Sequence, residues 1–229
     1  MAASQTARRL FSLALAALLV MVVIYGHTSP VLALPEVETK RAEALIPWLE
    51  GDRAFWAIGD FVHLGPPAIP VLVKALSHPS RRVRINAIEA MYLIKDESAV
   101  PALNAVAMNP QEIAAVREKA LRVAVRLDPT NAMPALQAMA KDANEAIRIA
   151  VTSESRQIKD KAVIGLLIAM LADEVPSVAD GAWHVLYAFT GRFVERQDFL
   201  QSTKEQRKAW SEDWAQWWDG HRDTFHLAP

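Results

Sequence analysis

Apolar residues along this chain recur at helical spacing, and the segments that carry them come back at a near-constant interval. Ala68-Ile69-Pro70, Ala99-Val100-Pro101 and Ala132-Met133-Pro134 each open an apolar stretch, 31 and 33 residues apart. A second mark keeps step with the first. Val83-Arg84-x-x-Ala87, Val116-Arg117-x-x-Ala120, Ile147-Arg148-x-x-Val151 and Val178-x-x-x-Ala182 are spaced 33, 31 and 31 residues apart. Periods of about 20–50 residues with two helices per period are the mark of a helical solenoid. No segment shows sustained period-two alternation, so no sheet is predicted.

The elements follow from the pattern. Glu36 to Leu49 reads as a first helix, and Asp52 caps a second that Gly65-Pro66-Pro67 ends. Ile69 to Leu76 is helix A of the first full unit, with Pro70 tolerated in its first turn. Ser80 N-caps helix B, Arg81 to Ile94. The second unit pairs Val100–Ala107 with Ala114–Leu127, and the third starts at Ala132. Its helix B carries Thr152, Ser153 and Ser155, weak helix formers, and is expected to be short. The fourth pairs Ala162–Leu171 with Val178–Phe189. After Thr190-Gly191-Arg192 comes a polar stretch and a terminal helix, Lys204 to His221. Trp210, Trp214 and Trp217 lie on one face of it, extended by Trp218. That helix reads as a cap for the open end of the stack; an aromatic binding or membrane-interface patch is the other reading.

The N-terminal segment has its own logic. Arg8 and Arg9 precede Leu10–Tyr25, a run of 16 residues that is apolar except for Ser12; Gly26, Ser29 and Pro30 follow, then the small-residue step Val31-Leu32-Ala33. This is the three-part pattern of a secretory signal peptide. A bilayer span needs about 20 apolar residues, so a membrane tether through residues 10–25 is the alternative. The expected organisation is therefore 1–33 signal or anchor, 34–192 solenoid, 193–229 capping segment. The domain is expected in the periplasm or outside the cell, or held at the inner membrane.

Composition narrows the chemistry. The chain has 26 acidic and 25 basic residues, a formal charge of −1, which gives no global attraction to nucleic acid. It has no cysteine, which removes disulfides, thiolate nucleophiles and Cys-ligated zinc. The six histidines form no spacing that places two metal ligands on one helical face. Phosphate-binding glycine loops and nucleophile elbows are absent from the sequence. No catalytic residue, cofactor or metal site is predicted.

The Ala-x-Pro openings, the Val-Arg-x-x-Ala steps and the turns Ser77-His78-Pro79 and Met108-Asn109-Pro110 resemble HEAT repeats, over roughly residues 52 to 192. Thr190-Gly191 followed by the tryptophan-rich helix resembles the ending of bacterial, exported HEAT-repeat proteins. The third unit departs from the pattern with Val151 in the alanine position, and the fourth has Ala179 in place of arginine. The resemblance implies an all-α fold, a right-handed α-α superhelix with helix B of each pair on the concave side. It also implies a protein-binding scaffold, expected to be a non-catalytic monomer with a protein partner and without nucleic acid. A bilin lyase or chromophore-attachment factor is the alternative, and a nucleic-acid-binding protein of HEAT type a more distant one.

Residues 66–158 hold 12 bases against 9 acids, so a basic band crosses an otherwise acidic molecule. Arg81, Arg84, Arg117, Arg122 and Arg148 are the candidate binding residues on it, with Arg82, Lys119 and Arg126 nearby. Arg84, Arg117 and Arg148 recur at one phase of the repeat. They serve either an acidic partner or the packing of neighbouring turns.

Overall fold

The computed structural model describes residues 34–192 and 198–227; the segment read as signal or anchor, residues 1–33, lies outside them. Among the described residues there are eleven α-helices, five short 3₁₀ turns and no strand. The helices form consecutive hairpins. These are α1 (Glu36–Leu45) with α2 (Ala54–Leu64), α3 (Ile69–Ala75) with α4 (Arg81–Ile94), and α5 (Val100–Met108) with α6 (Ala114–Leu127). Then come α7 (Pro129–Met139) with α8 (Glu145–Glu154), and α9 (Ala162–Met170) with α10 (Pro176–Thr190). The final helix, α11 (Lys204–His221), stands alone. The second helices stack in order, α2 on α4 on α6 on α8 on α10. The first helices form the other layer, with α1 on α3, α5 on α7 and α11 on α9. This is a HEAT-like helical solenoid, and its core runs between the two layers.

The Ala-x-Pro step is explained by where it sits. Ala68 and Ala99 are fully buried between hairpins at the ends of 3₁₀ turns, Pro66–Ala68 and Glu97–Ala99. Pro70 and Pro101 then fall in the first turn of α3 and α5, where an amide would have no helical acceptor. The third copy differs from expectation. The Asp128 carboxylate accepts from the amides of Thr130 and Asn131, so α7 starts at Pro129 and encloses Pro134. The carbonyl that Pro134 leaves without a donor belongs to Thr130, and both residues face solvent.

Two predicted caps are also corrected. Arg53, without a side-chain bond, occupies the N-cap of α2, because the Ala54 amide closes onto the Gly51 carbonyl at 3.0 Å. Asp52 does not cap. Ser80 is the N-cap of α4, but its hydroxyl does not cap; its amide donates to His78 Nδ1 at 3.1 Å. The two helices expected ahead of the first full unit pack as a hairpin of their own, α1 with α2. Pro47 turns the end of the first predicted helix into a 3₁₀ turn, Ile46–Leu49. The shortening expected of the third helix B is found: α8 has 10 residues against 14 in α4 and α6. The hydroxyls of Thr152 and Ser155 fold back onto the carbonyls of Ile149 and Val151 where it ends.

Helix α4 ends on Lys95 in the left-handed conformation, φ 60°. That conformation costs a side-chain-bearing residue about 1–2 kcal/mol, and glycine takes it freely. Lys95→Gly is therefore expected to raise stability by about 0.5–1 kcal/mol, read as a higher midpoint in thermal unfolding.

At the C-terminal end, Thr203 and Gln206 form a reciprocal capping box that starts α11. Trp214 is fully buried, and Trp210, Trp217 and Trp218 pack half-buried against the core. Phe199, itself buried, bridges α10 to α11, with ring centroids 6.0 Å from Trp183 and 4.6 Å from Trp210. Among the described residues no single helix is long and apolar enough to cross a membrane.

Candidate functional site: an arginine ladder and the face of the second helices

Arg84, Arg117 and Arg148 sit at the same place in α4, α6 and α8, one turn into each helix. Each reaches two neighbours, the turn before its own helix and a carboxylate in the turn of the next hairpin. Arg84 Nη1 donates to the carbonyls of His78 (2.8 Å) and Pro79 (2.9 Å), and Nη2 donates to Glu112 at 2.8 Å. Arg117 Nε donates to the Ala107 carbonyl at 2.8 Å, and its Nη2 pairs with Asp142. Arg148 holds both oxygens of Asp173, at 2.8 and 3.0 Å, and the Asp142 carbonyl at 2.7 Å. All three guanidiniums are buried or nearly so, each hydrogen-bonded to one acid, and Arg148 also lies 3.6 Å from the exposed Glu174. The column is thus a neutral ladder that fixes the register of successive hairpins.

The fourth rung comes from outside the repeat. Position 179 is alanine, and Arg207 of α11 takes the vacant place. Its Nε donates to the Asp173 carbonyl at 2.8 Å and its Nη2 to the Glu174 carbonyl at 3.0 Å, while Nη1 anchors it to Ser202 at 2.7 Å. Arg207 is 3% exposed. Sequence reasoning missed it; the gap at Ala179 was the available signal.

The Asp142 rung carries a pH dependence. Burial alone would raise its carboxyl pKa. The hydrogen bond from Arg117, the amide of Asn144 and the charges of Arg117 and Arg148 outweigh that and hold it below the ordinary value. A carboxyl that binds its proton less readily when folded stabilises the fold above its unfolded pKa. That contribution disappears as pH falls through the folded value. Unfolding midpoints followed downward from neutral pH should therefore drop below about pH 4, and the drop should be shallower in Asp142→Asn, which starts less stable.

The outward stripes of α4, α6, α8 and α10 adjoin to form one face. Lys119 of α6 pairs with Glu89 of α4 at 2.6 Å. Arg122 bridges Glu118 at 2.6 Å and Glu154 of α8 at 3.0 Å, and those contacts keep its pKa above the usual value. Arg126 lies over the ring of Tyr92, 5.7 Å from its centroid. Between α8 and α10 is an open depression of about 490 Å³ lined by Thr152, Ser153, Arg156, Gly181, His184 and Val185. Its floor depends on Gly181, because a Cβ there would lie 2.7 Å from Thr152 Oγ1. Ile149 and Tyr187 are exposed beside it. Among the described residues Arg126 and Arg156 have no carboxylate partner. Of the five candidate arginines, three are thus in the ladder and Arg122 is on this face with two acids. Arg81 is exposed at the start of α4.

Among the described residues no three His, Asp or Glu side chains converge as a metal site. The model of HEAT repeats matches residues 43–113, from within α1 to the residue before α6. No curated protein sequence matches the chain. Among solved structures, one likeness is to a chain in the complex of CpcE and CpcF of phycocyanin lyase from Nostoc sp. PCC7120, with 20% identity and a TM-score of 0.52. It covers 66% of this chain and 99% of that one. Human deoxyhypusine hydroxylase aligns at 16% identity over 77% of this chain and 98% of its own, with a TM-score of 0.34. The HEAT-repeat model thus matches the N-terminal hairpins, and the same stacking of helix pairs continues to Thr190, as expected of a HEAT-like helical solenoid.

Proposed function

We propose that this protein is a non-catalytic scaffold that binds a protein partner on the face of its second helices. One observation carries the reading: the internal ladder engages Arg84, Arg117 and Arg148, while on the outward face Arg126 lies over Tyr92 and Arg156 lines the depression beside the exposed Ile149 and Tyr187. Arginine and tyrosine next to apolar area are the side chains that dominate protein interfaces, and an acidic, partly apolar segment is the complement. Arg126→Glu with Arg156→Glu should weaken capture of the native partner by at least about tenfold and leave the unfolding midpoint near that of the parent. Unchanged capture would reject this face. Reversals in the ladder are unsuitable for the test, since they would break the fold first.

A chromophore-attachment factor is the second reading, favoured by the likeness to a phycocyanin lyase chain. At 20% identity that likeness speaks for fold. Mixing the purified protein with free bilin separates the readings: a shifted absorbance band that saturates at one equivalent supports the second, and an unchanged spectrum the first.

Export completes the proposal. The charged start and the apolar run of residues 10–25 would deliver the domain across a membrane, or tether it there. Fractionation with N-terminal sequencing is expected to find a chain starting near Leu34 in the extracytoplasmic fraction, or a full chain in the membrane. A full-length chain in the cytosol would refute export.

A further inference from the structure

The two ends of the stack are finished differently. At the C-terminal end α11 covers α9 with Trp214. At the N-terminal end α2 is the outermost second helix. Its inner side is buried at Ala57 and Phe61, whereas its outer side carries Phe55, 77% exposed, and Trp56, 69% exposed. Gly59, Val62 and His63 continue that side, also exposed. Terminal repeats of a solenoid ordinarily present a polar outer face; this one presents two large aromatics in edge contact, 5.7 Å between ring centroids.

Gly59 is a second, independent sign. Glycine inside a helix costs about 1 kcal/mol relative to alanine. Among the described residues a Cβ at Gly59 would meet nothing within 4 Å, so nothing in their packing calls for glycine there. A helix crossing α2 closely at that point would. The aromatics flank the same spot, one turn before it.

We infer that the outer face of α2 is a two-fold interface with a second copy of this chain, α2 packing antiparallel on α2 with the axis near Gly59. An axis there sets Trp56 opposite Val62 of the second copy and Phe55 opposite His63, and the reverse, so each copy gives and receives an aromatic. The occupant follows from the ends. A head-to-tail contact would need the C-terminal end, which α11 occupies, so a contact through the N-terminal end pairs like with like and closes at two copies. A lipid surface fits less well, because interfacial helices surround their aromatics with basic residues. Residues 34–65 hold six acids against three bases. The inference is independent of the partner face on α4 to α10, and it replaces the monomer expected from the sequence.

Sedimentation velocity of the protein isolated from its native compartment, run as a dilution series, tests this. The expected result is twice the chain mass, dissociating on dilution. Gly59→Gln blocks the close approach yet improves helix propensity. It should raise the dimer dissociation constant at least about tenfold, with the midpoint of the dissociated protein unchanged or higher; Trp56→Glu should give the same shift. A single-chain mass at the highest soluble concentration, with the face covered by residues 1–33 or by lipid, overturns the inference. So does a dimer indifferent to both substitutions.

Discussion

Asp173→Ala is expected to destabilise the solenoid by about 3–5 kcal/mol, the loss typical when one partner of a buried ion pair is removed. Asp173 joins three elements. Its carboxylate takes Arg148 of α8 through two hydrogen bonds, one of its oxygens also accepts the Val175 amide at 2.8 Å, and its carbonyl accepts Arg207 of α11. Without the carboxylate Arg148, whose side chain is 7% exposed, keeps the turn carbonyls and only a distant Glu174 oxygen at 3.6 Å. The midpoint in thermal or urea unfolding should fall by about 10 °C or its equivalent. Arg148→Met added to Asp173→Ala removes the stranded charge and should recover much of the loss, so that the double variant is more stable than the single. If the arginine column were a solvent-facing ligand surface, Asp173→Ala would change the midpoint by only a few tenths of a kcal/mol, and the second change would recover nothing.

Trp214→Ala is the second large effect, about 3–5 kcal/mol for deleting a fully buried aromatic. Its location matters as much as its size. A solenoid transmits stability through nearest neighbours, so losing the cap should loosen α11, α9 and α10 first and leave α4 to α6 protected. Hydrogen exchange read by segment is expected to show faster exchange in 204–221 and 162–190, with the exchange of 81–127 close to the parent. Uniform loss along the chain would mean that the stack unfolds as one unit and that α11 is more than an end cover.

The repeat was legible because packing imposes a period: the three central hairpins carry a buried alanine with a proline two residues on in the first helix and an arginine at one phase of the second. What escaped sequence reading lacks one of those marks. Both helices of the leading hairpin α1–α2 were legible from their apolar spacing, but without an Ala-x-Pro or Val-Arg step to fix its register, the break of its first arm at Pro47 was not. The start of α7 was masked because Pro134 looked like the other two prolines, while Asp128 captures the amides of Thr130 and Asn131 and begins the helix earlier. The ladder was half legible. The arginines share a phase, but their acids, Glu112, Asp142 and Asp173, lie 28, 25 and 25 residues further on, in loops that meet them only when the hairpins stack. Arg207 belongs to no repeat, and only the missing arginine at position 179 pointed to it. The partner face was harder still, since Arg126 and Arg156 differ from Arg122 only in what their neighbours supply.

The claim that the second-helix face receives the partner is tested most directly by a photo-crosslinking side chain placed, in the native host, at Ser153 and separately at Gln137. Ser153 is exposed beside Arg156 on α8, and Gln137 is exposed on α7 in the opposite layer. A discrete protein adduct from position 153, lost on adding Arg126→Glu and Arg156→Glu, with none from position 137, is the predicted result. An adduct from 137 alone, or no adduct from 153 in the compartment where the protein resides, would contradict it.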